Sequence, residues 1–284
     1  MALEAFIPEI WAGEVLLSLT KAQVFAAVCN RDYEGEIKKA GDMVRIGQIG
    51  RMTISAYVPN STTLTRQNLD DAEKQLHIDQ KYYFDFEIDD VEAAQARPNI
   101  MQAAMREAAY GLNNTADAAI GGKYTEAGIT AGLGTEATPI DVTSINVVEY
   151  IGFVGQKMSE SNTPEDGRWM VIPPWFQLKI ALAGIALKTE NASVFSEGFI
   201  GRAMGFDFYV SNNVSTGTPA TNQKTRIMAG YRGTITFAEQ LITVEAYRPQ
   251  GAFSDAVKGL YVYGIKTVRA DTLACLRADY VVEP

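Results

Sequence analysis

Along residues 75–90 apolar and polar positions alternate: Leu76, Ile78, Tyr82, Phe84, Phe86 and Ile88 share one face of an extended strand, with mostly polar or charged residues on the other. A period of two over that length predicts a long, half-exposed β-strand. Residues 43–58 read as strand as well, and the turn-rich stretch between the two runs predicts an extended hairpin. Because an isolated two-stranded hairpin is marginal in water, the pattern predicts that neighbouring subunits hold this ribbon and that the native unit is an assembly.

The period then changes. Across residues 97–121, Ile100, Ala104, Ala108, Leu112, Ala116 and Ile120 recur every four residues, flanked by Met101 and Met105. Pro98 suits a first helical turn and Gly121-Gly122 a helix end. The spacing predicts an amphipathic helix of about 36 Å at ~1.5 Å per residue, and its alanines predict a central spine on which a sheet packs closely. Residues 125–143, rich in glycine, threonine and alanine, read as a long loop or boundary. Beyond them a mixed section is predicted. It holds a helix over 145–158 (Val147, Val148, Ile151, Val154, Met158), a buried strand over 169–172, and a helix over 175–187 with Trp175, Leu178, Leu182 and Ile185 on one side. Short strands over 206–210 and 227–229 flank a polar loop, 211–224. Residues 241–280 read mainly as strand, expected to return to the ribbon base and the spine. The fold class is α+β, with a discontinuous domain. Near the amino end, Phe6, Ile7 and Trp11 form an apolar cluster of the kind that docks on a core or a neighbour.

Charge and candidate chemistry narrow the function. The 284 residues, 47% of them apolar, suffice for a buried core. A net charge of −9 argues against a broad basic surface that condenses on nucleic-acid phosphates. Cys29 and Cys275 are too few and too distant for a disulfide framework, no apolar run approaches the roughly 20 residues that span a bilayer, and no signal-peptide layout opens the chain. One histidine, His77, and two isolated cysteines give no zinc site. Asp89-Asp90 resembles a carboxylate pair, but neighbours on a strand diverge to opposite faces. The glycines at 132, 134, 198, 201 and 205 match no nucleotide loop. No catalytic, metal or cofactor site is expected. The ribbon is electrically divided: residues 41–66 carry Arg45, Arg51 and Arg66 against Asp42, a balance of +2, whereas residues 67–90 balance to −6. A basic outer ribbon meeting an acidic neighbour would fix register between subunits.

Several segments carry a family resemblance: Phe6-Ile-Pro-Glu-Ile-Trp11; Arg31-Asp-Tyr-Glu-Gly-Glu-Ile37 followed by Gly41-Asp-Met-Val44; Ile78-Asp-Gln80 leading into Asp89-Asp-Val-Glu-Ala-Ala-Gln95; Val171-Ile-Pro-Pro-Trp175; and Gly201-Arg-Ala-Met-Gly-Phe206-Asp-Phe-Tyr-Val-Ser211. In their order and spacing, over nearly the whole chain, they resemble the major capsid proteins of tailed bacteriophages, which share the Hong Kong 97 fold. The resemblance implies an N-arm (1–40), an E-loop (41–88) with its tip at 59–66, a peripheral domain with the spine helix (89–124 and 241–284), and an axial domain (125–240). It implies pentamers and hexamers in an icosahedral shell around double-stranded DNA, held without sequence-specific binding. Separate scaffolding, portal and decoration proteins are the implied partners, with assembly in the host cytoplasm and residence in the virion. Residues expected to contact other subunits are Phe6, Ile7, Trp11, Arg45, Arg51, Tyr57 and Arg66. The short arm implies a separate scaffold or a mature product. Some relatives cross-link through lysine, and Lys74 and Lys81 lie in the corresponding region. The alternatives are an encapsulin-type nanocompartment shell, with the same fold but protein contents, and a soluble acidic enzyme using Asp89 and Asp90.

Overall fold

The computed structural model describes residues 23–33, 43–49, 54, 56, 59, 71–89, 100–183, 199–217, 224–251 and 254–282. The described residues form three sheets and one long helix. Strand β1 (Met43–Ile49) pairs antiparallel with β2 (Asp71–His77) as a separate two-stranded ribbon. Strand β3 (Gln80–Asp89) joins β10 (Ser254–Thr267) and β9 (Ile235–Tyr247) in an antiparallel sheet of order β3-β10-β9. The third sheet has order β4-β11-β8-β5-β7-β6, with β4 at Ile140–Val142, β5 at Arg168–Ile172, β6 at Phe199–Ala203, β7 at Phe206–Val210, β8 at Thr225–Tyr231 and β11 at Ala274–Tyr280.

The helices are α1 (Phe25–Val28), α2 (Ile100–Gly121), α3 (Val147–Glu160) and α4 (Pro174–Leu182). With 22 residues, α2 runs about 33 Å at ~1.5 Å per residue. Its buried line is Met105, Ala109, Leu112, Ala116 and Ile120, spaced four, three, four and four apart. The predicted strict spacing of four advances about 40° per step around a helix of 3.6 residues per turn, so Ala104 and Ala108 are only half-buried. Against this line pack Val257, Tyr261 and Tyr263 of β10 together with Trp169, Val171 and Met228 of the six-stranded sheet, so the spine joins the two larger sheets. On the far face of the six-stranded sheet, Val147, Ile151, Val154 and Met158 of α3 and Phe176 and Ile180 of α4 meet Met170 and Ile172. Strand β5 thus divides its side chains between two cores and is buried along its whole length, as central strands covered on both faces are.

Three expectations are corrected. The alternating run 75–90 is two strands: β2 ends at His77, and β3 leaves the ribbon to pair with β10. At the break Gly264 of β10 faces the His77 carbonyl so closely that an added Cβ would lie 2.5 Å from its oxygen; alternation survives the change of partner, so periodicity alone does not show it. Helix α4 buries Phe176 and Ile180 and leaves Leu178 and Leu182 52% and 62% exposed. The segment is apolar on nearly every side, and its rotation is set by its direct exit from β5 at Pro173-Pro174; Ile185 lies outside the described residues. The carboxyl end also divides: β10 returns beside the spine, whereas β11 pairs with β8 and β4 in the six-stranded sheet.

Candidate functional site

The ribbon emerges from a rooted base. Val44 and Ile46 of β1 and Leu76 and Ile78 at the end of β2 are buried against Ala238, Val262 and Val268, on the face of the three-stranded sheet opposite the spine. Lys74 Nζ donates to the Val268 carbonyl across the same contact. The subunit's own apolar surface therefore stabilises the root of the ribbon, a contribution that the expectation of a ribbon held by neighbouring subunits left out. Of the ribbon beyond Ile49 and before Asp71, only Ile54, Ala56 and Pro59 are described, and Ile54 is almost wholly exposed.

The amino-terminal segment is clamped to the spine by groups that periodicity does not reveal. Asp117, on the buried side of α2, accepts the backbone N–H groups of Val24 (3.1 Å), Phe25 (3.1 Å) and Ala26 (3.4 Å), the otherwise unpartnered donors at the start of α1. Gln23 Nε2 donates to Asn113 Oδ1 at 3.1 Å and to Glu239 Oε2 at 2.8 Å. The Arg31 guanidinium pairs with Glu239, which also accepts the Tyr261 hydroxyl proton. Asn30 forms a parallel bridge with Thr236, adding one residue of pairing to the edge of β9. Burial raises the Asp117 carboxyl to about 6, opposed by the backbone N–H groups of Val24, Ala26 and Phe25 and by the side chain of Asn213. Burial also drives the Tyr261 hydroxyl strongly upward, and the Glu239 charge adds to it. The signal in the sequence was an Asn and an Asp, four residues apart, inside the apolar line of a helix.

The six-stranded sheet has two further electrostatic locks. Glu136 binds Arg226 through both guanidinium nitrogens Nε and Nη2, at 2.9 and 2.8 Å, and Arg277 Nε at 3.0 Å. These bonds, Arg226 foremost, hold its carboxyl down to about 2. Arg168, almost completely buried, donates to the Thr163 and Pro164 carbonyls at 2.7 and 2.8 Å and to Ser159 Oγ. It sits at the carboxyl end of α3, where a cation meets the negative end of the helix dipole.

Of the residues expected to contact other subunits, Arg45 is exposed on β1 opposite Gln75. Phe6, Ile7, Trp11, Arg51, Tyr57 and Arg66 lie outside the described residues. His77 is exposed where β2 closes, and Asp89 ends β3 opposite Ser254, with Asp90 outside the described residues. Cys29 and Cys275 are unpaired and buried, and burial pushes the Cys275 thiol up to about 11. No group of three or more histidine, cysteine or carboxylate side chains able to hold a metal ion occurs among the described residues. What the geometry offers is a body stiffened by buried polar clamps and a ribbon projecting from a fixed root: parts suited to joining copies.

Comparison with known proteins agrees with that arrangement. Residues 80–278 match the family model described as phage capsid protein. Comparison with curated protein sequences finds no match. Among solved structures the chain is similar to one from Mycobacterium phage Che8, at 24% identity and TM-score 0.70, covering 91% of this chain and 90% of that one. The capsid of cyanophage P-SCSP1u is similar at 15% identity and TM-score 0.66, over 93% and 89% of the two chains. The virus-like particle from Pyrococcus furiosus is similar at 14% identity and TM-score 0.55, over 96% and 100%.

Proposed function

Because the chain belongs to the phage capsid protein family, we propose that it is the major coat protein of a tailed-bacteriophage head, assembling as pentamers and hexamers into a closed icosahedral shell around double-stranded DNA. It is a capsid shell protein of the Hong Kong 97 type, a structural protein and not an enzyme. The observation that carries the reading is the family match across residues 80–278, which takes in β3, the spine helix and nearly all of both larger sheets.

In this reading residues 1–40 are an arm and 41–88 an extended loop, whose last strand, β3, has rejoined the body by pairing with β10. Residues 89–124 with 241–284 form the peripheral domain, apart from β11, which lies in the six-stranded sheet with the strands of 125–240, and 125–240 gather around the five-fold and six-fold centres. Arg45, Arg51, Tyr57 and Arg66, with Phe6, Ile7 and Trp11, contact adjacent copies. Each contact is modest, but every copy makes several, and closure of the shell multiplies them. The acidic balance of −9 suits a container whose wall does not bind its DNA. Scaffolding and portal proteins, and a decoration protein, complete the head, which assembles in the host cytoplasm.

A second reading, a protein-filled nanocompartment shell, draws on the likeness to the Pyrococcus furiosus particle over the whole of that chain. Contents separate the two. Electron microscopy of particles purified from infected cells, with extraction of nuclease-protected nucleic acid, is expected to show closed shells protecting double-stranded DNA. Shells whose contents are protein would favour the second reading, and a monomeric product would defeat both.

A further inference from the structure

Strand β3 is an outer strand of ten residues, paired on one side with β10 and on the other with no described residue, and its ladder runs without a register shift from Gln80 to Asp89. An open edge of that length, free of bulge and proline, is a template for another strand. The opposite edge differs: Asn30 bridges β9 at Thr236, and the pairing of β9 with β10 shifts register at Leu260–Tyr261. The two faces of β3 are also distinct. Phe84 and Phe86 lean on the spine core and Tyr82 stacks on Tyr263 at 5.7 Å, whereas Lys81, Tyr83, Asp85 and Glu87 stand exposed on the outer face. Tyr82 and Tyr83 keep 38% and 79% of their surface in solvent, which leaves aromatic surface uncovered along an unpaired edge.

We propose that β3 pairs antiparallel with β3 of a second copy across a two-fold axis at Phe84, joining two three-stranded sheets edge to edge. The inference rests on the reading that copies of this chain assemble, and it adds a contact in which the strand meets only itself. A two-fold axis normal to the sheet preserves its faces, so each residue must meet a partner from the same face, and the axis falls on a residue instead of between two. Charge then selects the residue. Centred on Phe84, the outer face sets Lys81 against Glu87 and Tyr83 against Asp85, each pair twice, while the spine-side face sets Tyr82 against Phe86 and Phe84 against its mate. Opposite charges and aromatic pairs are combinations that stabilise cross-strand neighbours. Centred one residue earlier, Glu87 meets Asp79, and centred one later, Asp85 meets itself; like charges directly opposite are destabilising. Neither Lys81 nor Glu87 has an ion-pair partner among the described residues, although Glu87 accepts the Ser254 hydroxyl at 3.3 Å. Charge on an edge ordinarily deters a second strand. Here its sign reverses about Phe84, so the edge opposes other registers and accepts its own copy. An icosahedral shell supplies two-fold relations between neighbouring capsomers, where such an isologous contact closes.

The test is charge reversal with rescue. Within one chain Lys81 and Glu87 lie about 20 Å apart at ~3.3 Å per residue, too far to touch, so any compensation between them passes through a second copy. Lys81→Glu alone and Glu87→Lys alone each turn two attractive pairs repulsive; both should keep the parent circular dichroism while shell yield, measured by sedimentation, falls at least about tenfold. The double variant Lys81→Glu with Glu87→Lys restores both pairs and should return to within about threefold of the parent. Parent-like yield from the single variants, or a double variant no better than they are, overturns the proposal. A second measurement separates this pairing from the shell reading. Equal amounts of a heavy-isotope Tyr83→Cys chain and a light Asp85→Cys chain are oxidised together. Residues directly opposite in an antiparallel pair have Cα atoms about 4.5–5.5 Å apart, within the span of a disulfide, so the expected product joins heavy to light chains at these two positions. Shells that form without this link, or with links only between like variants, overturn the pairing and leave the shell reading intact. The link in protein that forms no shells upholds the pairing and defeats the shell reading.

Discussion

Asp117→Asn isolates the clamp on the amino-terminal segment. The native carboxyl titrates near 6 instead of the ordinary 3.8, so between those values the folded chain holds a proton that the unfolded chain has released. Stability therefore falls as pH rises through this window and is level above it. At about 1.4 kcal/mol per unit, ionised Asp117 costs roughly 3 kcal/mol at neutral pH relative to strong acid, about 2 kcal/mol of it arising between pH 4.5 and 7. The amide removes that charge and keeps one oxygen for Phe25 and Ala26, but it gives up the acceptor that now serves Val24, a loss of about 1–3 kcal/mol for a buried donor. The two effects nearly cancel at pH 7, so the diagnostic is the slope and not the midpoint. Urea unfolding of subunits held below assembly concentration, at several pH values from 4.5 to 7, should show the variant gaining about 2 kcal/mol on the parent as pH rises. A difference between the two proteins that does not change with pH would refute the reasoning.

Further outcomes follow from other contacts. Leu76→Ala opens a cavity in the ribbon root, where Leu76 is fully buried, and should cost about 2–5 kcal/mol, with hydrogen exchange rising in β1 and β2 first; uniform protection would place the root elsewhere. Glu136→Gln removes the carboxylate shared by Arg226 and Arg277, which is 49% exposed. After discounting for solvent the expected cost is at most about 1 kcal/mol. The Glu136 carboxyl is held down to about 2, so its contribution is complete above the ordinary glutamate range and lost as pH falls toward 2; a thermal midpoint gap between parent and variant that widens in acid would contradict this. Deleting residues 52–65 should leave the parent far-ultraviolet circular dichroism of the rooted body but no closed particles by electron microscopy, and normal shells from that variant would remove the ribbon from the assembly mechanism.

The elements legible in the sequence are those whose burial is one-sided or total. Helix α3 shows Val147, Ile151, Val154 and Met158 at helical spacing, and all four are buried; β5 is apolar from Trp169 to Ile172, and every residue in it is buried. Illegible were features in which two arrangements share one pattern. The run through Ile78 alternates whether or not the strand changes partner, and Gly264, the residue that permits the crossing, lies nearly two hundred positions away. Helix α4 is apolar on too many sides for spacing to select Phe176 and Ile180 over Leu178 and Leu182. The clamp around Asp117 and Glu239 joins four distant segments, and in a one-dimensional reading each charge looks like an ordinary solvated one.

The central claim is that this subunit completes its ribbon contacts on a copy of itself within a shell. A cryo-electron microscopy reconstruction of the assembled particle tests it most directly. The account predicts a closed icosahedral lattice in which density for residues 50–66 leaves its own subunit beyond the Leu76–Ile78 root and lies across a neighbour's body. Density for those residues folded back over Tyr83 of the same chain, in particles whose subunits touch only through other surfaces, would contradict it.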